Sequence, residues 1–273
     1  LFIAAVLADV LVRGMAVHPF AAFSLALTLT AGYTLMAALM LRVLRFDPRL
    51  ATLHDLVVFA ATVVISTSVI ALGYVSVLAL HGLLSAKDFG DAMLRFWVGD
   101  VIGIVVTTPF VLSFGGRLRE TWDALRSPTL SARWQTFVLL ALLGALFALP
   151  EALAVRYFYL LFLPLIWIGA TGGFRGTALA LLAIQIGLIV VGQARGYAAT
   201  TVVELQLFML VLAFGALFLG MAISERRSAQ ERLLAREVEL HDKQLELERA
   251  LRHAAAAEMA SALAHELNQP LSA

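Results

Sequence analysis

The 273-residue chain has the composition of an integral membrane protein. Hydrophobic residues make up 61% of it and charged residues 14%, with a mean hydropathy of +0.90, whereas soluble domains are about one quarter charged. The chain contains no cysteine, which excludes disulfides, thiolate zinc sites and cysteine catalysis. Its net charge of +1, without a basic cluster, gives no sign of a nucleic-acid partner.

Eight apolar segments follow one another, and each is interpreted as a membrane span. About 20 apolar residues cross the hydrocarbon core, and the continuous runs lack the alternation of barrel strands. The predicted fold is therefore all-α, a bundle of about eight transmembrane helices. Because the first run begins at Leu1 and the chain ends within a helical pattern, we expect the protein to continue at both ends. The segments are 1–12, 20–44, 55–81, 93–114, 134–149, 157–170, 174–192 and 201–223.

The distribution of Arg and Lys predicts the orientation of the bundle. With eight spans, one side carries ten of these residues and the other carries five, and the richer side is normally cytoplasmic. The C-terminal tail is therefore predicted to be cytoplasmic. The ten are Arg42, Arg45, Arg49, Arg117, Arg119, Arg126, Arg133, Arg175, Arg226 and Arg227, and the five are Arg13, Lys87, Arg95, Arg156 and Arg195.

The fourth span contains "FWVGDVIGIVVTTPF", residues 96–110. Gly99 and Gly103 form a GxxxG pair suited to close helix packing, and Pro109 can kink the helix. Asp100 is costly inside a span and needs a role. The stretch resembles the signature span of the MASE membrane-associated sensor domains of the first type, at Trp97, Gly99, Asp100, Gly103 and Pro109.

This resemblance extends loosely over residues 1–223 and implies an eight-helix sensor domain of the kind found ahead of histidine kinases and cyclic-dinucleotide enzymes. Asp9, Asp100 and Glu204 fall in the outer halves of their predicted spans, where ionisable groups usually face the bundle interior. We therefore expect a polar cluster centred on Asp100. Two roles stay open for it: a stimulus site or lock on one signalling state, and a packing network without a ligand.

A glycine-rich stretch, "GATGGFRG", occupies residues 169–176. It does not have the pattern of a phosphate-binding loop, because no Lys-Ser/Thr pair follows it and no predicted strand precedes it. We predict a tight turn between two spans here, with Arg175 on the cytoplasmic side.

Residues 224–256 are predicted to form a charged helical linker without Pro or Gly. One apolar series recurs every seven residues, the spacing of a coiled-coil position. A second series is less regular, since Leu251 breaks the step and can locally change the supercoil. A parallel dimeric coiled coil and a single solvated helix both stay open. The first series is Leu233, Leu240, Leu247 and Ala254, and the second begins with Val238 and Leu245.

The tail, residues 257–273, contains adjacent His and Glu residues in "AEMASALAHELNQPLSA". Imidazole is a nucleophile when a neighbouring carboxylate orients or deprotonates it, and Glu266 follows His265 directly. Pro270 removes a backbone donor and should bend the helix just after His265. The tail resembles the dimerisation and phosphoacceptor helix of sensor histidine kinases nearly residue for residue.

This second resemblance implies that His265 accepts the γ-phosphoryl group of ATP and passes it to an Asp of a response regulator. Glu266 falls on the position of the general base, and Asn268 lies in the following turn. Gln269 occupies a position that the family usually fills with Thr or Asn for the phosphatase reaction. The family's ATP-binding domain, which uses Mg, is expected after Ala273. The resemblance also implies a homodimer in a bacterial inner membrane.

Two alternatives to a histidine kinase stay open. One is a transporter-like membrane protein with an incidental tail, although no repeat between the halves supports it. The other is the sensor of a cyclic-dinucleotide enzyme, which the phosphoacceptor motif disfavours. No metal site is predicted, because His241, His253 and His265 are spaced by twelve and each turns about 120° around a helix from the last.

Overall fold

The computed structural model describes residues 19–44, 50, 52–114 and 130–268, and every regular element in these ranges is a helix. The predicted all-α membrane bundle is confirmed, and the predicted first span, 1–12, lies outside the described residues. The elements are α1 (Pro19–Ala38), extended by a π-helical turn (Leu39–Val43); α2 (Leu53–Leu80); a 3₁₀ turn (Ala86–Asp88) and α3 (Phe89–Phe114); α4 (Leu130–Ala148); α5 (Glu151–Tyr157) and a 3₁₀ turn (Phe158–Leu161); α6 (Phe162–Arg195); and α7 (Ala199–Asn268).

Six helical stretches within the described residues are long and apolar enough to cross a membrane. Each buries one face and leaves large apolar side chains exposed on the other. In α2, for example, Phe59 and Val63 are buried, while Ile65 and Val69 are each 66% exposed. Apolar patches of this extent are rare on proteins that face water. The outside of the bundle is therefore a lipid-facing surface.

The stretch from Glu151 to Arg195 is two passes rather than one. As a straight helix its 45 residues would reach about 68 Å, more than twice the thickness of the hydrocarbon core. At Gly173 the backbone leaves the helical region, with φ 61° and ψ −154°. A β-carbon built on Gly176 would lie 3.7 Å from the carbonyl oxygen of Ile168, whereas residues eight apart in a straight helix are about 12 Å apart. The chain thus folds back at Gly173.

This fold-back is the tight turn predicted for residues 169–176. It is made by one residue between two helical legs, 162–172 and 174–195, rather than by a loop. Glycine is needed there because φ 61° combined with ψ −154° is a conformation that other residues essentially never adopt. With α5 and the 3₁₀ turn ahead of the first leg, both passes are long enough for the membrane, which adds a seventh pass to the described chain.

Hydrogen bonds join the ends of different helices at two opposite ends of the bundle. At one end, which we name the junction end, Leu53, Phe174, Ser224 and Glu225 are joined by hydrogen bonds. At the other, the far end, the Arg195 guanidinium donates to the Leu149 carbonyl at 3.1 Å. The backbone N–H of Ala198 also donates there to the Glu151 carboxylate at 3.3 Å.

The chain divides into two compact units, Leu1–Glu225 and Arg226–Ala273. The 70-residue helix α7 contributes residues 199–225 to the first and 226–268 to the second. In the second unit Leu233, Leu240 and Leu247 are each more than 60% exposed. Exposed Glu–Lys and Glu–Arg pairs one turn apart, Glu239–Lys243 and Glu248–Arg252, lie on the same helix.

The helix geometry separates the two apolar series of the linker. Val238 precedes Leu240 by two residues, so their side chains point about 200° apart around the helix. Leu245 and Leu247 are related in the same way. The two series therefore cannot form the adjacent rungs of one coiled-coil seam. Only the series of Leu233, Leu240 and Leu247 keeps a continuous line along one side.

Candidate functional site

Asp100 places a buried carboxylate oxygen among the described residues of the first unit. It lies in the middle of α3 and is only partly exposed, and one of its carboxylate oxygens, Oδ1, accepts a hydrogen bond from the hydroxyl of Tyr33 in α1. A hydroxyl that donates to a carboxylate makes a stronger bond than one between neutral groups. The pair joins α1 to α3 across 67 residues of sequence.

The second carboxylate oxygen of Asp100 has no partner among the described residues. Oδ2 is buried and accepts no hydrogen bond there. The hydroxyl oxygen of Thr30, three residues before Tyr33 in α1, is also buried and has no hydrogen-bond partner among the described residues. A buried carboxylate oxygen without a partner is costly in an apolar medium. Oδ2 is therefore able to accept one more hydrogen bond or a proton without breaking an existing contact.

The other signature residues of this span join α3 to α2 and to the core. The Trp97 indole N–H points to the carbonyl of Val64 in α2 at a long 3.5 Å. One residue earlier, Phe96 stacks on Tyr74 of α2 with ring centroids 4.4 Å apart. Pro109 is buried and lies inside α3, which continues to Phe114. Asp100 and Trp97 thus attach α3 to α1 and α2.

The predicted packing role of Gly99 and Gly103 is not seen in the described part of the chain. A β-carbon built on either glycine would meet no described atom within 4 Å. Close glycine contacts occur instead where the fold-back of α6 meets α7. A β-carbon on Gly220 would lie 2.6 Å from Thr177 Oγ1 and 3.2 Å from the Gly173 carbonyl oxygen. Among the described residues, a close backbone contact between two glycines therefore lies at the junction end.

The structure does not bring Glu204 to Asp100. Glu204 is exposed on α7, and it makes no hydrogen bond or ion pair with Asp100 in the described residues. Asp9 lies outside those residues. The polar centre that the structure does show consists of Asp100 and Tyr33.

Three of the four residues predicted for the phosphoacceptor site lie in the last turn of α7. Helical backbone continues through His265 and Glu266 to Asn268. Gln269 lies outside the described residues, as does Pro270 with its predicted bend. Among the described residues, no group of three or more His, Asp or Glu side chains is placed to hold a metal ion.

Sequence reasoning missed Tyr33, Ser224 and Glu225. A signal for Tyr33 exists in "TAGYTL", since a phenol in the middle of an apolar run needs a hydrogen-bond partner. Its partner could not be read, because a helix that is apolar on all sides gives no sign of which face turns inward. Ser224 and Glu225 sit at the change of composition, where the sequence shows a boundary but not a contact.

One family model, MASE1, matches residues 1–227, most of the chain. The chain belongs to the MASE1 family. MASE1 is a membrane sensor domain typical of signalling proteins, and the match includes every residue of the first compact unit. No curated protein and no solved structure matches this MASE1 chain. The membrane sensor predicted from residues 96–110 is thus confirmed at the level of the family.

Proposed function

We propose that this MASE1 chain is the sensory and phosphoacceptor part of a bacterial two-component histidine kinase. The observation that carries the proposal is the sequence "HELNQP", residues 265–270, whose first four residues lie on the helix that begins within the sensor domain. In the full-length protein His265 accepts the γ-phosphoryl group of ATP with Mg, and Glu266 acts as its general base. The phosphoryl group then passes to an Asp of a response regulator.

The chemistry follows from the adjacency of an imidazole and a carboxylate. A neutral imidazole attacks the γ-phosphorus of ATP through one ring nitrogen, and ADP leaves as the bond from phosphorus to the bridging oxygen breaks. The other ring nitrogen carries a proton that the phosphorylated form loses or shares. Glu266, the adjacent carboxylate, can accept that proton. General base assistance of this kind contributes roughly 10²- to 10⁴-fold to a rate.

The proposed protein is a homodimer with its tail in the cytoplasm, set in the inner membrane. The exposed line of Leu233, Leu240 and Leu247 supports dimerisation, because apolar residues at seven-residue spacing on a solvated helix are buried when two such helices pair. The excess of Arg and Lys in the connections predicted to share a side with Arg175 and Arg226 supports the cytoplasmic tail.

Phosphorylation of His265 tests the proposal directly. Membranes that contain the full-length protein should incorporate label from γ-labelled ATP as acid-labile phosphate on a species of two-chain mass in detergent. His265→Gln should abolish labelling, and Glu266→Gln should slow it by roughly 10²- to 10⁴-fold. His241→Gln, at an exposed position on the same helix, is the matched control and should label normally.

The outcome also separates the proposal from its alternatives. Full labelling of the His265→Gln protein would disprove the assignment of His265. A full-length protein that takes up no phosphate and instead forms or degrades a cyclic dinucleotide would place this MASE1 domain ahead of that class of enzyme.

A further inference from the structure

The last two residues of the sensor unit are hydrogen-bonded to the starts of two other helical passes. Ser224 Oγ accepts from the backbone N–H of Phe174 at 2.9 Å, and a Glu225 carboxylate oxygen accepts from the backbone N–H of Leu53 at 3.1 Å. Phe174 begins the second leg of α6, and Leu53 begins α2. The first N–H groups of a helix have no partner within that helix, so α7 supplies partners that these two helices lack.

The residues that cap the start of α2 do not bind the backbone N–H of Leu53, which donates to Glu225 instead. Thr52 and Asp55 form a capping box, in which Thr52 Oγ1 accepts from the Asp55 N–H and the Asp55 carboxylate accepts from the Thr52 N–H. That reciprocal pair occupies both residues and does not reach the N–H of Leu53. Glu225 completes the cap from another helix, with a negative charge at the positive end of the helix dipole.

Close packing one turn earlier holds α7 in the position these bonds require. Gly220 and Ser224 are four residues apart and share one face of α7. Gly220 contacts the Gly173 carbonyl region so closely that an added β-carbon would lie 3.2 Å from the Gly173 oxygen. Thr177 Oγ1 donates to that same oxygen at 2.9 Å. The absence of a side chain at Gly220 therefore lets α7 approach the fold-back of α6 closely.

We propose that Ser224 and Glu225 form a clamp whose release changes the signalling state of the linker that begins at Arg226. This inference rests on the proposed function for its output. The clamp is well suited to switching because the bond to Glu225 is exposed, so water can replace Glu225 when the helix moves. Loss of one such bond shifts an equilibrium between two arrangements by roughly 2- to 10-fold.

The location of the clamp supports a role in output rather than only in packing. The compact sensor unit ends at Glu225, and the family match ends two residues later, at 227. A change in the bundle that displaces the start of α2 or the fold-back of α6 must stretch one of these two bonds. Both bonds act on the same helix that carries His265.

Hydrogen exchange of the full-length protein in membranes tests the clamp without any need for catalysis. Ser224→Ala removes the acceptor for Phe174, and Glu225→Ala removes the acceptor for Leu53. We expect faster amide exchange in residues 174–177 for the first variant and in residues 53–56 for the second, by several-fold. Ser228→Ala and Glu237→Ala change the same residue types at exposed linker positions and should exchange like the wild type. Unchanged exchange in both clamp variants would overturn the proposal.

Phosphorylation of His265 in the same proteins tests the regulatory half. Release of the clamp should shift the basal level of phosphorylation about 2- to 10-fold in the same direction for both variants. Ser224→Thr, which keeps a hydroxyl acceptor, should stay close to the wild type. Faster exchange together with unchanged phosphorylation means that the clamp is structural only, and the proposal fails. If the wild type never phosphorylates His265, the kinase assignment fails instead, and exchange across residues 221–232 decides whether release still reaches the linker.

Discussion

A carboxylate in the interior of a membrane domain must be stabilised by what surrounds it. Asp100 has the Tyr33 hydroxyl on one oxygen and no described partner on the other. Removal of the hydroxyl leaves both oxygens unpartnered, whereas removal of the charge leaves Tyr33 with an acceptor. Loss of a partner from a buried charged group costs more than loss of a neutral contact. The two residues are therefore expected to respond unequally to substitution.

Tyr33→Phe should lower the free energy of unfolding of the protein in detergent by about 1–3 kcal/mol, measured by thermal unfolding. Asp100→Asn should lower it less, because the amide still accepts from Tyr33 and no buried charge remains. In the double variant the losses should not add, since both changes act on the same hydrogen-bonded pair. Tyr159→Phe, at a position that is 56% exposed, is the control and should be neutral.

The same variants distinguish the two roles left open for Asp100. A packing role predicts reduced abundance or stability with normal signalling by the molecules that survive. A sensory role predicts wild-type abundance with output fixed on or off in a reporter assay. Wild-type abundance and a wild-type response in both variants would exclude both roles.

At the scale of elements, the sequence predicts the lengths of the membrane-spanning helices well, but it does not show which face of each helix packs inside the bundle. The predicted spans 20–44, 55–81 and 93–114 coincide with α1, α2 and α3 to within a few residues, because the thickness of the hydrocarbon core sets how long an apolar run must be. The sequence of a helix that is apolar on every side does not show which of its faces turns toward the bundle interior. The open space beside Gly99 and Gly103 among the described residues, and the pairing of Tyr33 with Asp100, therefore depend on packing that sequence patterns do not show.

The fold-back of α6 was predictable from the sequence as a tight turn in residues 169–176. Several small residues in "GATGGFRG" mark a break, although they do not identify which glycine turns the chain. The structure assigns the turn to Gly173, where an added β-carbon would also collide with Ser224 Oγ. This makes Gly173 more sensitive to substitution than its neighbours.

Gly173→Ala should destabilise the sensor unit by about 1–3 kcal/mol, since alanine cannot adopt this backbone conformation without strain. Gly144→Ala provides the comparison. Gly144 is exposed within α4, and an added β-carbon there meets no described atom within 4 Å, so alanine should be neutral or slightly stabilising. Thermal unfolding in detergent measures both. Equal stability of the two variants would mean that Gly173 is not the turning point.

At the scale of the whole sensor unit, helix directions show which residues share a side of the membrane, and charges indicate which side is the cytoplasm. Leu53, Phe174 and Ser224 meet at the junction end. From there α2 extends about 42 Å and the second leg of α6 about 33 Å, each enough to cross the hydrocarbon core. Lys87, which follows α2, and Arg195, the last residue of α6, therefore lie at the far end. Helix directions alone separate the two sides, and only the Arg and Lys excess indicates which side is the cytoplasm.

Reporter fusions test the two parts of this topology one at a time. Fusions after Arg49, Arg126 and Arg175 should all report the cytoplasm, and fusions near Lys87 and Arg195 should report the opposite side, because the junction side carries the excess of positive charge. A fusion after Arg226 should agree with the one after Arg175, since Ser224 is bonded to Phe174. If every fusion reports the reverse, the helix directions stand and the charge-based orientation is wrong. A cytoplasmic signal at Lys87 alone would mean that α2 does not cross the membrane, which would contradict the arrangement of eight spans.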